Sequence, residues 1–225
     1  KGGMLVSKNK ESNSDVYSFS KLTTIHTCPY EYYLTYYKKN RGTQNAFSQY
    51  GTFMHSILEE YARGKYEVFE LKDVFEEYYS QNVNLSFPPN KWVDLNQSYY
   101  EQGIDYLSKF EGFGDYKILD IEYEFLEQIK PEKVLNGDKK TLENKEIYLR
   151  GFIDLVLEDK EGNIIVLDHK SKSNFKNKAE KKAYTRQLYL YSYAIQAKYG
   201  KLPTLLIFNM FRKQHTEVIK FDVDD

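Results

Sequence analysis

Two strands joined by a short loop constrain the fold of this chain more than any other segment. Apolar and β-branched residues predict one strand over Ile147–Glu158 and the next over Ile164–Lys170. Between them, residues 160–162 form a loop that ends in glycine, which suits a type I turn closed by a left-handed residue. Such a loop sets Asp159 opposite Asn163. The register of every other cross-strand pair follows from that one.

Counting back along both strands sets Asp154 opposite Asp168, with Cβ atoms about 4.5–5.5 Å apart. Lys170 lies two residues beyond Asp168 and therefore projects from the same face. Two opposed carboxylates destabilise a sheet unless a positive charge lies between them. We therefore expect Asp154, Asp168 and the backbone carbonyl of His169 to bind Mg²⁺ or Mn²⁺, beside the Lys170 ammonium. A surface salt-bridge ladder is the alternative, and a loop of another length would separate the aspartates.

The order of predicted elements indicates an α/β fold with a mixed sheet. Residues 1–16 are expected to be a flexible segment, and 17–225 a single domain with a helical portion (17–112) and a sheet-containing core (113–225). A polar connection is expected over Pro131–Lys145. The predicted helices are Lys21–Thr27 with Ser20 as its cap, Glu31–Tyr37, Phe47–Arg63, Leu71–Gln81, Asn96–Phe110 and Ala179–Tyr199; the other strands are Ile118–Ile129, Thr204–Phe211 and Glu217–Val223.

Composition excludes several classes of protein. The single cysteine, Cys28, excludes a disulfide framework and a cysteine-based zinc or iron–sulfur site. No apolar stretch is long enough to span a membrane, and no secretory segment is present, so we expect a soluble, intracellular protein. With a formal net charge of −1, the chain is no polycation, and any nucleic-acid binding requires a local basic patch.

A basic segment follows the second strand of the hairpin. A lysine-rich run is typical of a solvated loop, but this one begins at the expected metal site and could contact phosphates. Only Glu180 opposes it in the sequence. The residues predicted to bind DNA are Lys172, Lys176, Lys178, Lys182 and Arg186.

Three further side chains are candidates for the site. His55 lies in the middle of a predicted helix with Glu59 one turn later, where a histidine is more often a packed or solvated residue than a ligand. Gln187 and Tyr191 lie one turn apart on another helix and share a face, so both could point at a substrate. The alternative for this pair is a core tyrosine with glutamine at its edge.

Taken together, the motifs resemble the RecB-like branch of the PD-(D/E)XK nuclease superfamily. The resemblance extends from about Tyr17 to Tyr199. It rests on five motifs in the order of that branch: Ser20-Lys-Leu with Cys28-Pro29-Tyr30 and Tyr33; Gly51-x-x-x-His55; Gly151-Phe-Ile-Asp154; Asp168-His-Lys170; and Gln187-Leu-Tyr-Leu-Tyr191.

The resemblance implies a restriction-endonuclease-like core that hydrolyses DNA phosphodiesters with Mg²⁺ or Mn²⁺. In those terms His55, Asp154 and Asp168 bind metal, Lys170 is catalytic, and Gln187 and Tyr191 support the site and DNA. Relatives with an iron–sulfur cluster use four cysteines, so none is expected here. Position 169 is histidine where the branch often has tyrosine, and its side chain is expected on the opposite face from Asp168.

The sequence thus predicts a metal-dependent deoxyribonuclease, with exonuclease action on ends or single strands in recombination, repair or phage DNA processing. No helicase motif is present, so unwinding would require a helicase or recombination partner. The first alternative is a DNA-binding or assembly module with the same fold and little catalysis. A second alternative, a hydrolase of small phosphorylated metabolites, lacks a glycine-rich phosphate loop.

Overall fold

The computed structural model describes residues 14–40, 42–129 and 146–222. A π-helical turn, Tyr33–Tyr37, follows the second helix, and a 3₁₀ turn, Val68–Glu70, precedes the fourth. Within these ranges the α-helices are α1 Phe19–Thr27, α2 Pro29–Tyr32, α3 Ala46–Ala62, α4 Leu71–Asn82, α5 Leu95–Ser108 and α6 Lys178–Tyr199. The strands are β1 Ser14–Tyr17, β2 Lys117–Ile129, β3 Glu146–Glu158, β4 Ile164–Lys170, β5 Leu205–Met210 and β6 His215–Lys220.

The described strands form one six-stranded mixed sheet. Its order is β1-β3-β4-β5-β6, and β2 also pairs with β3. The pairs β1/β3 and β4/β5 are parallel, whereas β3/β4 and β5/β6 are antiparallel. The predicted α/β fold with a mixed sheet is therefore confirmed, and the consecutive strands β2, β3 and β4 each pair with the next.

The β3/β4 hairpin has the predicted loop and register. Asp159 N–H donates to the carbonyl of Asn163 at 3.1 Å, and Gly162 N–H donates to the carbonyl of Asp159 at 3.0 Å. Gly162 has a φ of +79°, a conformation that glycine adopts without steric cost. The paired positions run from Glu158↔Ile164 to Leu155↔Leu167. Only a three-residue loop gives these pairs.

Two predictions near the N-terminus were wrong. Ser14–Tyr17 is a strand rather than part of a flexible segment, and it pairs with residues 146–149. A four-residue strand whose partner lies so far along the chain leaves no local signal. The first helix begins at Phe19 instead of Lys21, because the Ser18 side chain, and not that of Ser20, accepts from the Lys21 N–H. Residues 1–13 lie outside the described part.

The remaining boundaries agree with prediction to within a few residues. The last strand begins at His215 and ends at Lys220, whereas the sequence predicted Glu217–Val223. Position 223 and the predicted connection Pro131–Lys145 lie outside the described residues. No helix in the described ranges is both long enough and apolar enough to cross a membrane.

The chain divides into two compact units, each built from two separate stretches. One contains residues 1–41 and 124–151, the other 42–123 and 152–225. The first unit includes α1, α2 and β1, together with residues 124–129 of β2 and 146–151 of β3. Every candidate site residue lies in the second unit. The single domain over 17–225 stays a prediction.

In the second unit, the helices α3, α4 and α5 bury an aromatic core. Asn45 caps α3 by accepting from the Ser48 N–H, and the Ser48 side chain accepts from Asn45 N–H in return. The rings of Phe53 and Phe75 stack with centroids 5.5 Å apart. This core fixes α3 and the histidine that it carries. Its buried members are Tyr50, Phe53, Met54, Ile57, Leu58, Leu71, Phe75, Tyr79, Val83, Tyr99, Tyr106, Leu107 and Phe211.

Strand β4 is buried along nearly its whole length. Residues 164–169 are all buried, and only Lys170 is partly exposed. Because β4 lies between β3 and β5 in the sheet and is buried, its sequence is an almost continuous apolar run. Consequently Asp168 enters a mostly dry environment, which decides the electrostatics of the site.

Candidate metal centre

The hairpin brings the two predicted aspartates together at the end of its ladder. The Asp154 Oδ2 accepts a hydrogen bond from the His169 N–H at 2.6 Å. The paired backbone positions of β3 and β4 end at Leu155↔Leu167, and beyond them the Asp154 side chain accepts the hydrogen bond from β4. The side chains of Asp154 and Asp168 are only 13% and 5% exposed. Two carboxylates thus share a buried site, as the predicted register required.

One oxygen of Asp168 lacks the hydrogen bond that a buried group requires. Lys170 Nζ lies 2.6 Å from Asp168 Oδ2. The contact is an ion pair by distance but lacks hydrogen-bond angles, so Oδ2 has no hydrogen-bond partner among the described residues. A buried anionic oxygen in this state is costly. A divalent cation fits it, because carboxylate oxygens are the preferred ligands of Mg²⁺ and Mn²⁺.

Helix α3 supplies His55 to the same site. Its Nδ1 lies 3.6 Å from Asp154 Oδ2, and its ring meets the His169 ring edge-on with centroids 5.5 Å apart. Burial lowers the pKa of His55, while the charge of Asp168 opposes that shift. A neutral imidazole is the form that binds metals. The structure therefore brings together the aspartates and the histidine that the sequence proposed from separate motifs.

Glu122 lies beside the predicted site residues, although the sequence analysis did not name it as a candidate. One ligand atom each of His55, Glu122 and Asp154 lies within 4.8 Å of the others. Glu122 belongs to β2, and its φ of +50° is unusual for a non-glycine residue in a strand. The sequence shows it as one of three acids that alternate with apolar residues on a half-buried strand. That pattern predicts a solvated face and contains no signal for the unusual backbone.

The acids of this cluster raise one another's pKa. Burial raises the pKa of Asp154 well above its ordinary value, and the charges of Asp168 and Glu122 raise it further. The hydrogen bond from His169 N–H lowers it again without cancelling the rise. Burial also raises the pKa of Glu122, with a contribution from Glu59. Without a cation, the arrangement therefore disfavours the fully ionised state.

Lys170 is held by a chain of contacts from α6. Its ammonium donates to Gln187 Oε1 at 3.1 Å, and Gln187 Nε2 donates to the Tyr191 hydroxyl at 2.6 Å. The ammonium also lies 5.4 Å from the centroid of the Tyr184 ring. The predicted shared face of Gln187 and Tyr191 thus meets the predicted lysine. Their roles in catalysis stay predictions.

The His169 side chain contacts a residue of β5, and its expected position on the face opposite Asp168 stays a prediction. Its Nδ1 lies 2.8 Å from Asn209 Nδ2, which also donates to the Tyr106 hydroxyl at 2.6 Å. Because the amide nitrogen donates, Nδ1 accepts. Burial lowers the pKa of His169 well below its ordinary value, so the ring is neutral. Metal binding by the carbonyl of His169 stays a prediction, and a hydrogen bond that the His55 ring donates to this backbone carbonyl raises the pKa of His55.

The predicted DNA-binding residues divide into two groups. Lys172 is half-buried, and its ammonium is 2.9 Å from Glu180, so part of its charge is already neutralised. A second acid, Glu217, pairs with the neighbouring Lys181. The exposed members of the set are Lys176, Lys178, Lys182 and Arg186. Residues 178, 182 and 186 recur at a spacing of four and lie on one face of α6.

Comparison with models of protein families identifies a family for most of the chain. Residues 16–224 match the PD-(D/E)XK nuclease superfamily. No curated protein matches the chain. The matched range includes both strands of the hairpin, the helix that carries His55 and the helix that carries Gln187.

Proposed function

Because the chain belongs to the PD-(D/E)XK nuclease superfamily, we propose that it is a Mg²⁺- or Mn²⁺-dependent deoxyribonuclease of the RecB-like branch. The observation that carries the proposal is the buried pair Asp154 and Asp168, with an unsatisfied carboxylate oxygen and Lys170 beside it. Superfamily members typically use a divalent metal. His55 completes a donor set of two carboxylates and one imidazole, which suits such an ion.

The proposed reaction is hydrolysis of a DNA phosphodiester. A water oxygen attacks phosphorus in line, the bond to the leaving sugar oxygen breaks, and that oxygen takes up a proton. A bound divalent cation would supply positive charge for the phosphoryl oxygen and would lower the pKa of a bound water. Lys170 is placed to orient the water or to neutralise the charge that develops on phosphorus. Its ammonium lies 2.6 Å from Asp168 Oδ2.

Gln187 and Tyr191 serve this reaction by positioning Lys170. A free lysine side chain samples many rotamers, and a fixed partner reduces that freedom. The Gln187 amide accepts from the ammonium with its oxygen and donates to Tyr191 with its nitrogen. Rotation of the amide would break both bonds at once. We therefore assign both residues to support of the site rather than to direct chemistry.

DNA is proposed to approach along the exposed basic face of α6. Lys178, Lys182 and Arg186 share that face, and Lys176 precedes the helix. Phosphate contacts of this kind position a substrate without reading its sequence. That agrees with an exonuclease acting on ends or single strands, helped where unwinding is needed by a helicase or recombination partner.

The test is a time course of degradation with Mn²⁺ or Mg²⁺ on end-labelled single-stranded DNA, blunt duplex DNA and circular DNA. The wild type should degrade the linear substrates and spare the circle. Asp168→Ala and Lys170→Ala should each reduce the rate by about 10²–10³-fold, on the scale of lost electrostatic catalysis. Lys160→Ala is the matched control, because Lys160 lies at the exposed loop of the same hairpin.

Other outcomes of this experiment point elsewhere. Undiminished cutting by Asp168→Ala or Lys170→Ala contradicts the assignment of the site. Binding of DNA without turnover in either metal indicates the DNA-binding or assembly module instead. Cutting of the circle indicates an endonuclease that keeps the same site.

A further inference from the structure

We propose that Glu122 is a further protein ligand of the catalytic cation, supplied by β2 to the site that contains His55 and Asp154. The inference rests on the proposed function, because it assumes that the site binds a divalent ion. It assigns a role to a strand that the motifs leave unassigned.

The first argument is distance. The ligand atoms of Glu122, His55 and Asp154 all lie within 4.8 Å of one another. Oxygen ligands lie about 2.0–2.1 Å from Mg²⁺, so two ligands on opposite sides of one ion are about 4 Å apart. The three atoms can therefore surround a single cation after small side-chain movements. They come from α3, β2 and β3, and all three residues belong to the same compact unit.

The second argument is charge. Glu122 is half-buried, and within the described part of the chain its carboxylate has neither an ion pair nor a hydrogen bond. The charges of Glu59 and Asp168 disfavour ionisation of Glu122, whereas the charge of Arg63 favours it. Arg63, however, lies 2.8 Å from Glu59 and is already paired. The surroundings of Glu122 therefore carry an excess of negative charge, and a bound cation would neutralise it.

An independent observation supports the same ion. Oδ2 of Asp168 is buried, lacks a hydrogen-bond partner among the described residues, and belongs to a side chain that is 5% exposed. The charge of Asp168 acts on Glu122 and on Asp154 alike. Asp168 directly precedes His169, whose N–H binds the Asp154 carboxylate of the three-residue group, so this buried oxygen, paired only with the Lys170 ammonium, belongs to the same site.

The backbone of Glu122 is compatible with a functional demand at this position. A φ of +50° is one that glycine or asparagine adopts more readily than glutamate. In a strand it is typical of a bulge, which re-aims a side chain. If only the bend mattered, glycine would be the favoured residue. The backbone conformation alone therefore does not explain why this position has a long side chain with a carboxylate.

The experiment measures Mn²⁺ binding to the full chain by calorimetry and by the loss of the free-ion paramagnetic signal. Glu122→Gln keeps the shape but removes the charge, and it should raise the Kd for Mn²⁺ about tenfold or more. Glu124→Gln is the matched control, since it removes the same charge from an exposed position of the same strand. Its Kd should stay within about twofold of wild type.

Glu122→Gly separates a ligand from a merely strained residue. Glycine relieves the positive φ, so the Tm in EDTA should rise by about 2–4 °C for a chain of this size. Mn²⁺ binding should nevertheless weaken as in Glu122→Gln. A rise in Tm with unchanged Mn²⁺ affinity would overturn the inference.

Failure of the inference is distinguishable from failure of the proposed function. If wild type and Glu122→Gln bind Mn²⁺ equally while Asp154→Asn loses binding, Glu122 is not a ligand, but the metal site stands. If the wild type neither binds Mn²⁺ nor degrades DNA, the proposed function is wrong and the inference fails with it.

Discussion

Asp154 shows how the candidate metal site lowers the stability of the metal-free protein. Its carboxylate is nearly buried beside two other acids, and burial together with the charge of Asp168 raises its pKa. A carboxyl whose pKa is higher in the folded state binds its proton more tightly when folded. Its contribution to stability is therefore fully present below the pKa of the unfolded state. That contribution is lost as the pH rises through the higher pKa of the folded state.

We predict that Asp154→Asn stabilises the metal-free protein. At pH 8 in EDTA, the free energy of unfolding should rise by about 0.5–2 kcal/mol, because a buried charge is removed while the hydrogen bond from His169 N–H can be kept. The gain should shrink as the pH is lowered from 8 towards 5. Urea unfolding at several pH values measures it.

The matched control is Asp159→Asn in the hairpin loop. Hydrogen bonds from Asn163 lower the pKa of Asp159, so its charge stabilises the folded state. Removal of this charge should therefore have the opposite effect on stability from removal of the Asp154 charge. This variant should not be more stable than wild type at any of these pH values. Equal stabilisation by both variants would contradict the electrostatic account.

At this scale the sequence predicted what depends on counting and missed what depends on backbone geometry. Asp154 meets Asp168 because a glycine-closed loop sets the register, and register can be counted. Glu122 lies beside His55 and Asp154 with a φ of +50°, a backbone conformation that no residue type in its neighbourhood predicts. His55 was ambiguous on its own, since helical spacing does not say what a helix packs against.

At the scale of elements, α6 links the proposed catalytic lysine with the proposed DNA-binding face. One of its faces holds Lys170 through Gln187, and another presents Lys178, Lys182 and Arg186 to solvent. The helix is capped at its start by Asn177 and ended by Gly200 in the left-handed conformation. A movement of this helix would therefore affect both functions.

We predict that Lys182→Ala weakens DNA binding and lowers its salt dependence. Loss of one phosphate contact should reduce the slope of log K against log salt by about 0.7 for single strands and about 0.9 for duplexes. The weakening should be alike for unrelated DNA sequences. Fluorescence anisotropy with labelled oligonucleotides in EDTA measures binding without cutting.

Lys198→Ala is the control on the same helix. Lys198 pairs with Asp120 at 2.6 Å, so its charge is already satisfied within the protein. Its removal should leave the salt slope unchanged. An equal loss of slope in both variants would show that α6 binds DNA without a defined face.

Element types were predictable wherever local sequence decides them. Asn45, Pro29 and Gly64 punctuate helices, and the alternation in β2 indicates a strand. Strand β1 was missed because its stability comes from pairing with β3 rather than from its own four residues. The correct first cap, Ser18, could not be told from Ser20 by residue type alone.

At the scale of the whole molecule, a bound ion should stabilise the fold. Mn²⁺ at about 100 times its Kd should add about 2.7 kcal/mol, which corresponds to a rise in Tm of roughly 5–10 °C. EDTA should reverse the rise, and Asp154→Asn should abolish it. Differential scanning calorimetry measures these shifts. A rise of the same size in Asp154→Asn would mean that Mn²⁺ binds elsewhere.

Global properties were the least informative about function. A net charge of −1 conceals both an acidic centre and a basic face. The arrangement of each compact unit from two separate stretches could not be predicted, because it depends on contacts between residues far apart in sequence.

The position of β5 in the chain has a consequence for biosynthesis. This strand covers the free edge of β4, but it is translated after every residue of the site, at Leu205–Met210. Until then a nascent chain exposes an apolar strand edge that invites aggregation. Chaperone capture should therefore concentrate on the interval between synthesis of β4 and synthesis of β5, and nuclease activity should arise only after β5 has docked.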